Sequence, residues 1–264
     1  MAIDTWDPRQ YDKFERQREQ PFYDLLDLVH PAAGVLVVDL GCGTGKLTRV
    51  LHARLHARET VGVDRSDSML ARAPAADTVP GLRFESGTIE AFADRRLEPD
   101  ERPGLVFSNA ALHWVCDHQT LVRKLTALLA PSGQLAFQVP AQHDDVTHAT
   151  AEEVAATEPY QSALGGWRKP EPVLTVDGYA RLLYRCGFRD PIVRLIVYPH
   201  VLDSREAAVD WVKGALLTEY ARRLPPALFD RFLDDYRAAL LPRLDAARPF
   251  FFPYKRILCW GQLA

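Results

Sequence analysis

The chain has 264 residues, 47% hydrophobic and 25% charged, with 32 lysines and arginines against 35 aspartates and glutamates for a formal net charge of -3. That balance excludes the cationic excess of a protein that neutralises nucleic-acid phosphates, and no run approaches the ~18 apolar residues of a membrane span. Cys42, Cys116, Cys186 and Cys259 are widely separated with no C-x-x-C pair, and the polar N-terminal MAIDTWDPRQYDKFE lacks a signal-peptide core. The expectation is therefore a soluble cytoplasmic protein without a zinc knuckle, disulfide framework or metal site.

In chain order, residues 8 to 29 read as a helix, with Tyr11, Phe14, Phe22, Leu25, Leu26 and Val29 as its apolar stripe. Apolar strands then alternate with helices. VLVVDL (35–40) precedes KLTRVLHARLHA (46–57), and TVGVD (60–64) precedes SDSMLARA (66–73). LRFES (82–86) precedes the short TIEAFA, GLVFSNA (104–110) precedes a helix over about 118–129, and QLAFQVP (134–140) closes the series. Strands this short and apolar on both faces suit a parallel sheet covered by helices, so the first 140 residues predict a doubly wound α/β core. AQHDDVTH (141–148) reads as a connecting loop. Helices near 149–160, 177–186, 204–215 and 226–241 then dominate, with strand-like VRLIVYPHV (193–201) and PYKRILCWG (253–261) available to complete the sheet. The expectation is one domain over 1–264: an N-terminal helix within 1–30, a ligand-binding core over 31–140, and a helical cap over 141–264 that also supplies two strands.

VVDLGCGTGKL, at 37–47, is a strand feeding a glycine-rich turn, and three nucleotide-like ligands compete for it. A phosphate-cradling loop needs G-x-x-x-x-G-K followed by Ser or Thr, but Leu40 and Leu47 occupy the first glycine and the hydroxyl position. A dinucleotide fingerprint needs a third glycine where Lys46 stands. S-adenosylmethionine carries no pyrophosphate, and it asks only that the backbone approach closely, which Gly41, Gly43 and Gly45 permit. Asp39 can meet a positively charged ligand or order the turn. Asp64, 19 positions after Gly45 at the end of the next strand, can accept from both ribose hydroxyls, or serve only as a strand-end cap.

D-L-G-C-G-T-G, then G-V-D-x-S, then F-S-N-A-A-L-H-W, in that order and spacing, resembles the class I S-adenosylmethionine-dependent methyltransferases. Y-D-K-F-E-R-Q-R-E-Q-P-F-Y-D-L-L, N-A-A-L-H-W-V, W-R-K-P and V-D-W-V-K-G narrow the resemblance to the trans-aconitate methyltransferase group, over nearly the whole chain. The malonyl-carrier-protein methyltransferases share the core motifs but are less similar at the N-terminus. The resemblance implies a Rossmann-like, doubly wound, mostly parallel seven-stranded sheet with a helical cap. It implies S-adenosyl-L-methionine as cofactor, S-adenosyl-L-homocysteine as product, and a small-molecule substrate for a monomer or weak homodimer.

It also implies roles for residues. Gly41, Cys42 and Gly43 line the methionine portion of the cofactor and Asp64 holds the ribose. Arg65 and Met69 flank the adenine, Met69 being as well suited to packing. Gly87, Thr88 and Ile89 lie against the same ring. The family commonly places an aspartate in that turn to read the adenine amino group, where this chain offers Ser86 and Thr88. Asn109, Ala110 and His113 face the cofactor, with His113 a general base or simply a pocket-edge residue. Tyr11 and Arg18 belong to an N-terminal lid, and Phe14 to its packing face.

A carboxylate acceptor is already ionised at neutral pH, so the reaction needs orientation more than a strong base. Candidates to orient or wall the acceptor are Trp6, Tyr11, Trp114, Arg168, Tyr198, Trp211, Lys213 and Arg256. Where the trans-aconitate group has G-L-R-P after W-V-K-G-T, this chain reads A-L-L-T-E-Y, so an arginine is missing near Thr218. The sequence therefore leaves open another small acid, a natural product or a carrier-linked acceptor. An NAD-dependent oxidoreductase and a non-catalytic cofactor-binding module stay as remoter alternatives.

Overall fold

A computed structural model describes residues 15–30, 33–73, 79–214 and 216–264, with side chains from residue 19 onward. Its elements run in the order α1 (Glu15–Leu26), β1 (Leu36–Leu40), α2 (Lys46–Leu55), β2 (Glu59–Asp64), α3 (Asp67–Leu70), β3 (Leu82–Ser86), α4 (Ile89–Ala93) and β4 (Leu105–Asn109). They continue with a 3-10 turn (Leu112–Trp114), α5 (His118–Leu128), β5 (Gln134–Pro140), α6 (Val146–Ala155), α7 (Tyr160–Ala163), α8 (Val176–Arg185) and β6 (Phe188–Leu202). The chain ends with α9 (Arg205–Lys213), α10 (Thr218–Ala221), α11 (Pro226–Leu240) and β7 (Phe250–Leu263).

The strands form one seven-stranded sheet in the order β3-β2-β1-β4-β5-β7-β6. β1 through β5 pair in parallel and β7 runs antiparallel to β5, which is the doubly wound, mostly parallel sheet the alternation predicts. The order reverses between β1 and β4, and ligands of such sheets bind at the carboxyl ends of the strands flanking that reversal.

Two compact units divide the chain: Arg18–Pro140, Pro172–Ile196 and Arg256–Ala264 in one, with Ala141–Glu171 and Val197–Lys255 in the other. In the first, Phe22, Leu25, Leu26 and Val29 of the N-terminal segment join Leu51 and Leu55 of α2 against Val37, Leu105, Phe107, Ala136, Leu258 and Trp260 of the sheet. Phe22 meets Phe107 edge-on at 5.4 Å. The buried amide of Gln134 is paired at both ends: its oxygen accepts from His30 N and Trp260 Nε1, both at 2.9 Å, and its nitrogen donates to His30 O at 3.0 Å. Burying an amide is tolerated because both its oxygen and its nitrogen find partners.

In the second unit, Phe232, Tyr236 and Leu240 of α11 pack with Tyr160, Leu164, Trp211, Leu217, Tyr220 and Phe252 into a separate core. Tyr220, Phe229 and Tyr236 stack on Phe232 at 5.0, 6.3 and 6.5 Å between centroids. Helices predominate here, as the change of pattern after Pro140 suggests.

Two local expectations shift. The stretch 141–148 is not wholly a loop, because Asp145 caps α6 by accepting from Thr147 N at 2.9 Å, which starts the helix at Val146. The last two strands are longer than their apolar runs. β6 passes through Asp190 at φ 41° and Pro191, residues that read as a break, and a strand at the end of the sheet order tolerates both.

Candidate functional site

β1 ends in the glycine turn, and each glycine has a separate steric reason to be there. Gly41, Gly43 and Gly45 take φ of +77°, +57° and +70°, a region that costs an L side chain about 1–3 kcal/mol. A Cβ on Gly41 would lie 2.1 Å from the Ala111 methyl, and one on Gly45 would lie 2.4 Å from the Phe84 ring. The turn stays tied to the next strand, with Gly41 N and Cys42 N both donating to Val63 O, at 2.7 and 3.2 Å. Lys46, which displaces the dinucleotide glycine, pairs with Glu19 at 2.6 Å.

Asp39, near the end of β1, ties that strand to α2. It is 4% exposed and accepts from Thr48 Oγ1 at 2.6 Å. Burial, with a smaller push from the negative charge of Asp64, raises its carboxyl to about 7 against the Thr48 hydrogen bond. Burial and the same two carboxylates push the Cys42 thiol well up, so Cys42 is a neutral wall of the turn rather than a nucleophile.

Asp64 at the end of β2 joins the turn to the second strand. Its Oδ2 accepts from Gly43 N at 2.8 Å and its Oδ1 from Ser66 N at 2.9 Å. Each oxygen keeps a lone pair, so the group can also accept from a vicinal pair of hydroxyls. Met69 on α3 brings its Cε to 3.3 Å from where a Gly43 Cβ would stand, whereas Arg65 is exposed. After β3, Gly87 N donates to Asp64 O at 2.9 Å. The two hydroxyls of that turn have assigned tasks: Ser86 Oγ donates to Asp67 Oδ1 at 2.7 Å, and Thr88 Oγ1 caps α4 by accepting from Ala91 N at 3.1 Å. Ile89 opens α4 and is half-buried.

Asn109 closes β4, and Ala110 follows it at φ 54°, the left-handed region, with its N–H on Gln138 O at 3.1 Å. Gln138 Nε2 donates to Asn109 Oδ1 at 2.6 Å, and Arg256 Nη1 donates to Gln138 Oε1 at 3.0 Å. The 3-10 turn beyond carries His113, half-buried and 4.7 Å from the Trp114 ring, and Trp114, which is 36% exposed and no core residue. That turn is held by His118. Its Nε2 is placed to donate to Leu112 O at 2.9 Å while Nδ1 accepts from Tyr179 OH at 2.5 Å. Burial lowers the His118 pKa and favours the neutral ring that this arrangement requires.

Asp39, Gly41, Cys42, Gly43, Asp64, Met69, Gly87, Thr88, Ile89, Asn109, Ala110, His113 and Trp114 thus all belong to the sheet unit, near or just beyond the carboxyl ends of β1 to β4, and Arg256 belongs to it inside β7. Tyr198 and Trp211 belong to the other unit and are buried there, Trp211 packing 4.5 Å from His200 and 5.4 Å from Tyr254. Arg168 and Lys213 are exposed in that same unit. Trp6, Tyr11, Phe14 and the side chain of Arg18 lie outside the described residues. Among the described residues no group of His, Cys, Asp and Glu is arranged to hold a metal ion, and no helix is long and apolar enough to cross a membrane.

Sequence reasoning missed Phe84, whose ring fills the space that Gly45 and Gly62 leave open, and the roles of Thr48 and Gln138. The one available signal was polarity in apolar strands: Gln138 within QLAFQVP and Arg256 beside ILCW.

A model of the methyltransferase domain matches residues 37–133, the segment that carries this turn and the strand ends around it. Trans-aconitate 2-methyltransferase of Deinococcus radiodurans is 39% identical over 96% of this chain and 96% of its own. The enzyme of that name from Variovorax paradoxus is 36% identical over 98% of this chain and 96% of its own. Among solved structures, the YcgJ protein of Bacillus subtilis superposes with a TM-score of 0.61 over 93% of this chain and 98% of its own, at 17% identity. A methyltransferase structure from Bacillus halodurans gives 0.58 over 92% and 98%, at 15% identity. The chain belongs to the class I S-adenosylmethionine-dependent methyltransferases, in the group of the trans-aconitate methyltransferases, and S-adenosyl-L-methionine is its cofactor.

Proposed function

We propose that this enzyme methylates a carboxylate of a small polycarboxylic acid of the trans-aconitate kind, at the edge where β1, β2 and β4 end. The observation that carries the reading is the 39% identity to a trans-aconitate 2-methyltransferase across 96% of both chains, which takes in both units. The residues at the edge fit the cofactor. The glycines allow backbone approach. Asp64 has lone pairs for both ribose hydroxyls. Met69, Gly87, Thr88 and Ile89 supply an apolar edge for the adenine, with the Met69 thioether suited to a flat ring. Asn109 and Ala110 take the amino-acid end. Cys42, whose thiol stays protonated, packs without competing for the methyl group.

Bound there, S-adenosylmethionine would supply an electrophilic methyl on a positively charged sulfur, with S-adenosylhomocysteine as the product. The chain's part is positioning and exclusion of water, since a carboxylate acceptor carries its own negative charge at neutral pH. His113 then acts at the pocket edge by hydrogen bonding, not as a required base. Arg168 and Lys213, the cations the sequence offers for an acceptor, are exposed in the second unit.

One feature favours a second reading. Thr218 stands near where the related group carries an arginine, and it is 9% exposed. A smaller acid with fewer carboxylates suits that exchange. A screen of di- and tricarboxylic acids with methyl-labelled cofactor separates the two. Label transferred to trans-aconitate supports the first, label moving only to dicarboxylic acids supports the second, and no transfer to any acid while S-adenosylhomocysteine binds refutes both.

A further inference from the structure

Three residues far apart in sequence form one line on a single face of the sheet, with Asn109 half-buried at one end and Gln138 and Arg256 buried. Arg256 lies opposite Pro140 in the β5–β7 register, and Gln138, two residues along the same face, lies beside Asn109 in the β4–β5 register. Arg256 is 4% exposed and Gln138 fully buried. Arg256 Nη1 donates to Gln138 Oε1 at 3.0 Å, and Gln138 Nε2 donates to Asn109 Oδ1 at 2.6 Å. Gln138 grips the same bend through its main chain, since Ala110 N donates to Gln138 O at 3.1 Å and Ala110 is held at φ 54°.

The direction of these bonds is not free. A guanidinium has five N–H donors and no acceptor, so the oxygen of the Gln138 amide must face Arg256. Its nitrogen must then face Asn109, and only the Asn109 oxygen can receive it. Turning Asn109 over would set N–H against N–H beside the fully buried Gln138. An arginine at one end of the line therefore dictates which half of the Asn109 amide is left over at the other.

We infer that Arg256 is a positioning residue that, acting through Gln138, holds the Asn109 amide with its N–H group toward the carboxyl edge of the sheet, where it donates to a carboxylate of the bound ligand. The inference rests on the placement of the cofactor at this edge. Asn109 is thereby a donor to the ligand, never an acceptor, and Arg256 acts without touching the methyl acceptor. The carboxylate is that of the cofactor's methionine or that of the methyl acceptor, and the two are separable.

Gln138→Glu is the informative change. It keeps the size of the side chain and gives Arg256 a full counter-charge, but a carboxylate has no N–H to offer Asn109. Asn109 must then turn its own N–H group toward Glu and present its oxygen to the ligand. Calorimetric titration with S-adenosylhomocysteine, and with methylthioadenosine, which lacks the amino-acid part, reads the outcome. The expected result is an affinity for S-adenosylhomocysteine weaker by about tenfold or more, the loss of a charge-assisted hydrogen bond. Methylthioadenosine affinity and the melting temperature should hold, and Gln138→Glu should add nothing in an Asn109→Ala background.

Should S-adenosylhomocysteine affinity hold while the KM of the methyl acceptor rises without a matching fall in kcat, the carboxylate is the acceptor's and the inference stands. If neither moves, or if both nucleoside probes lose affinity equally, the relay has no such role and the inference is overturned. A wild-type enzyme that binds neither probe would overturn it together with the cofactor placement, an outcome distinct from binding that is merely insensitive to residue 138.

Discussion

Asp39 makes the stability of this enzyme depend on pH in a direction opposite to that of most carboxylates. Its side chain is 4% exposed, and burial raises its carboxyl from the ordinary 3.8 to about 7. Between those values the folded state keeps a proton that the unfolded chain releases. The contribution is thus fully present below 3.8 and is lost as pH rises through about 7. The interval from 3.8 to about 7, at about 1.36 kcal/mol per pH unit, amounts to about 4 kcal/mol. Asp39→Asn removes the titration and keeps the shape, because an amide oxygen can still accept from Thr48 Oγ1, now at 2.6 Å from Oδ2. Urea denaturation of both proteins at pH 4, 5, 6, 7 and 8 cancels in the difference every titrating group that does not interact with Asp39. The variant should match the wild type near pH 4 and exceed it by up to about 4 kcal/mol at pH 8. A difference that stayed flat within about 0.5 kcal/mol over that range, or that ran the other way, would refute the assignment of a costly buried charge to Asp39.

Three further outcomes test the site and the second unit separately. Gly41→Ala places a methyl 2.1 Å from the Ala111 methyl at φ +77°, and should cost about 3 kcal/mol or more together with cofactor binding. Adding Ala111→Gly should recover the steric part and leave the backbone strain of about 1 kcal/mol or more, read by chemical denaturation. Asp64→Ala removes the acceptor for Gly43 N and Ser66 N as well as for the ribose. S-adenosylhomocysteine affinity in calorimetry should fall by about 1.5–3 kcal/mol, roughly 10- to 150-fold, and an unchanged affinity would mean that the ribose lies elsewhere. Phe232→Ala empties the centre of the tyrosine and phenylalanine stack, where Phe232 is fully buried, and should destabilise by about 3–5 kcal/mol in a denaturant titration. A loss below about 1 kcal/mol would mean that the second core is loosely packed there.

The cofactor is legible in the sequence itself, because the requirements it imposes are local. Positive φ at Gly41, Gly43 and Gly45 needs glycine wherever the rest of the chain goes. Asp64 reaches Gly43 across only 21 residues, the span of one strand-helix-strand unit, so its spacing could be counted. The alternation of apolar strands and amphipathic helices likewise declared the parallel core, since a strand buried on both faces has no polar alternation to show.

What the chain alone could not declare depends on partners that sequence distance hides. Arg256 reads as one more surface cation until the antiparallel pairing of β7 with β5 buries it beside Gln138, 118 residues away. Gln138 in turn meets Asn109 across 29 residues, and Tyr179 meets His118 across 61 to hold the turn that carries His113. Glycine tolerance and ribose spacing follow from backbone sterics over a few residues. The direction of a buried hydrogen-bond chain follows from which strands become neighbours, and only the folded sheet decides that.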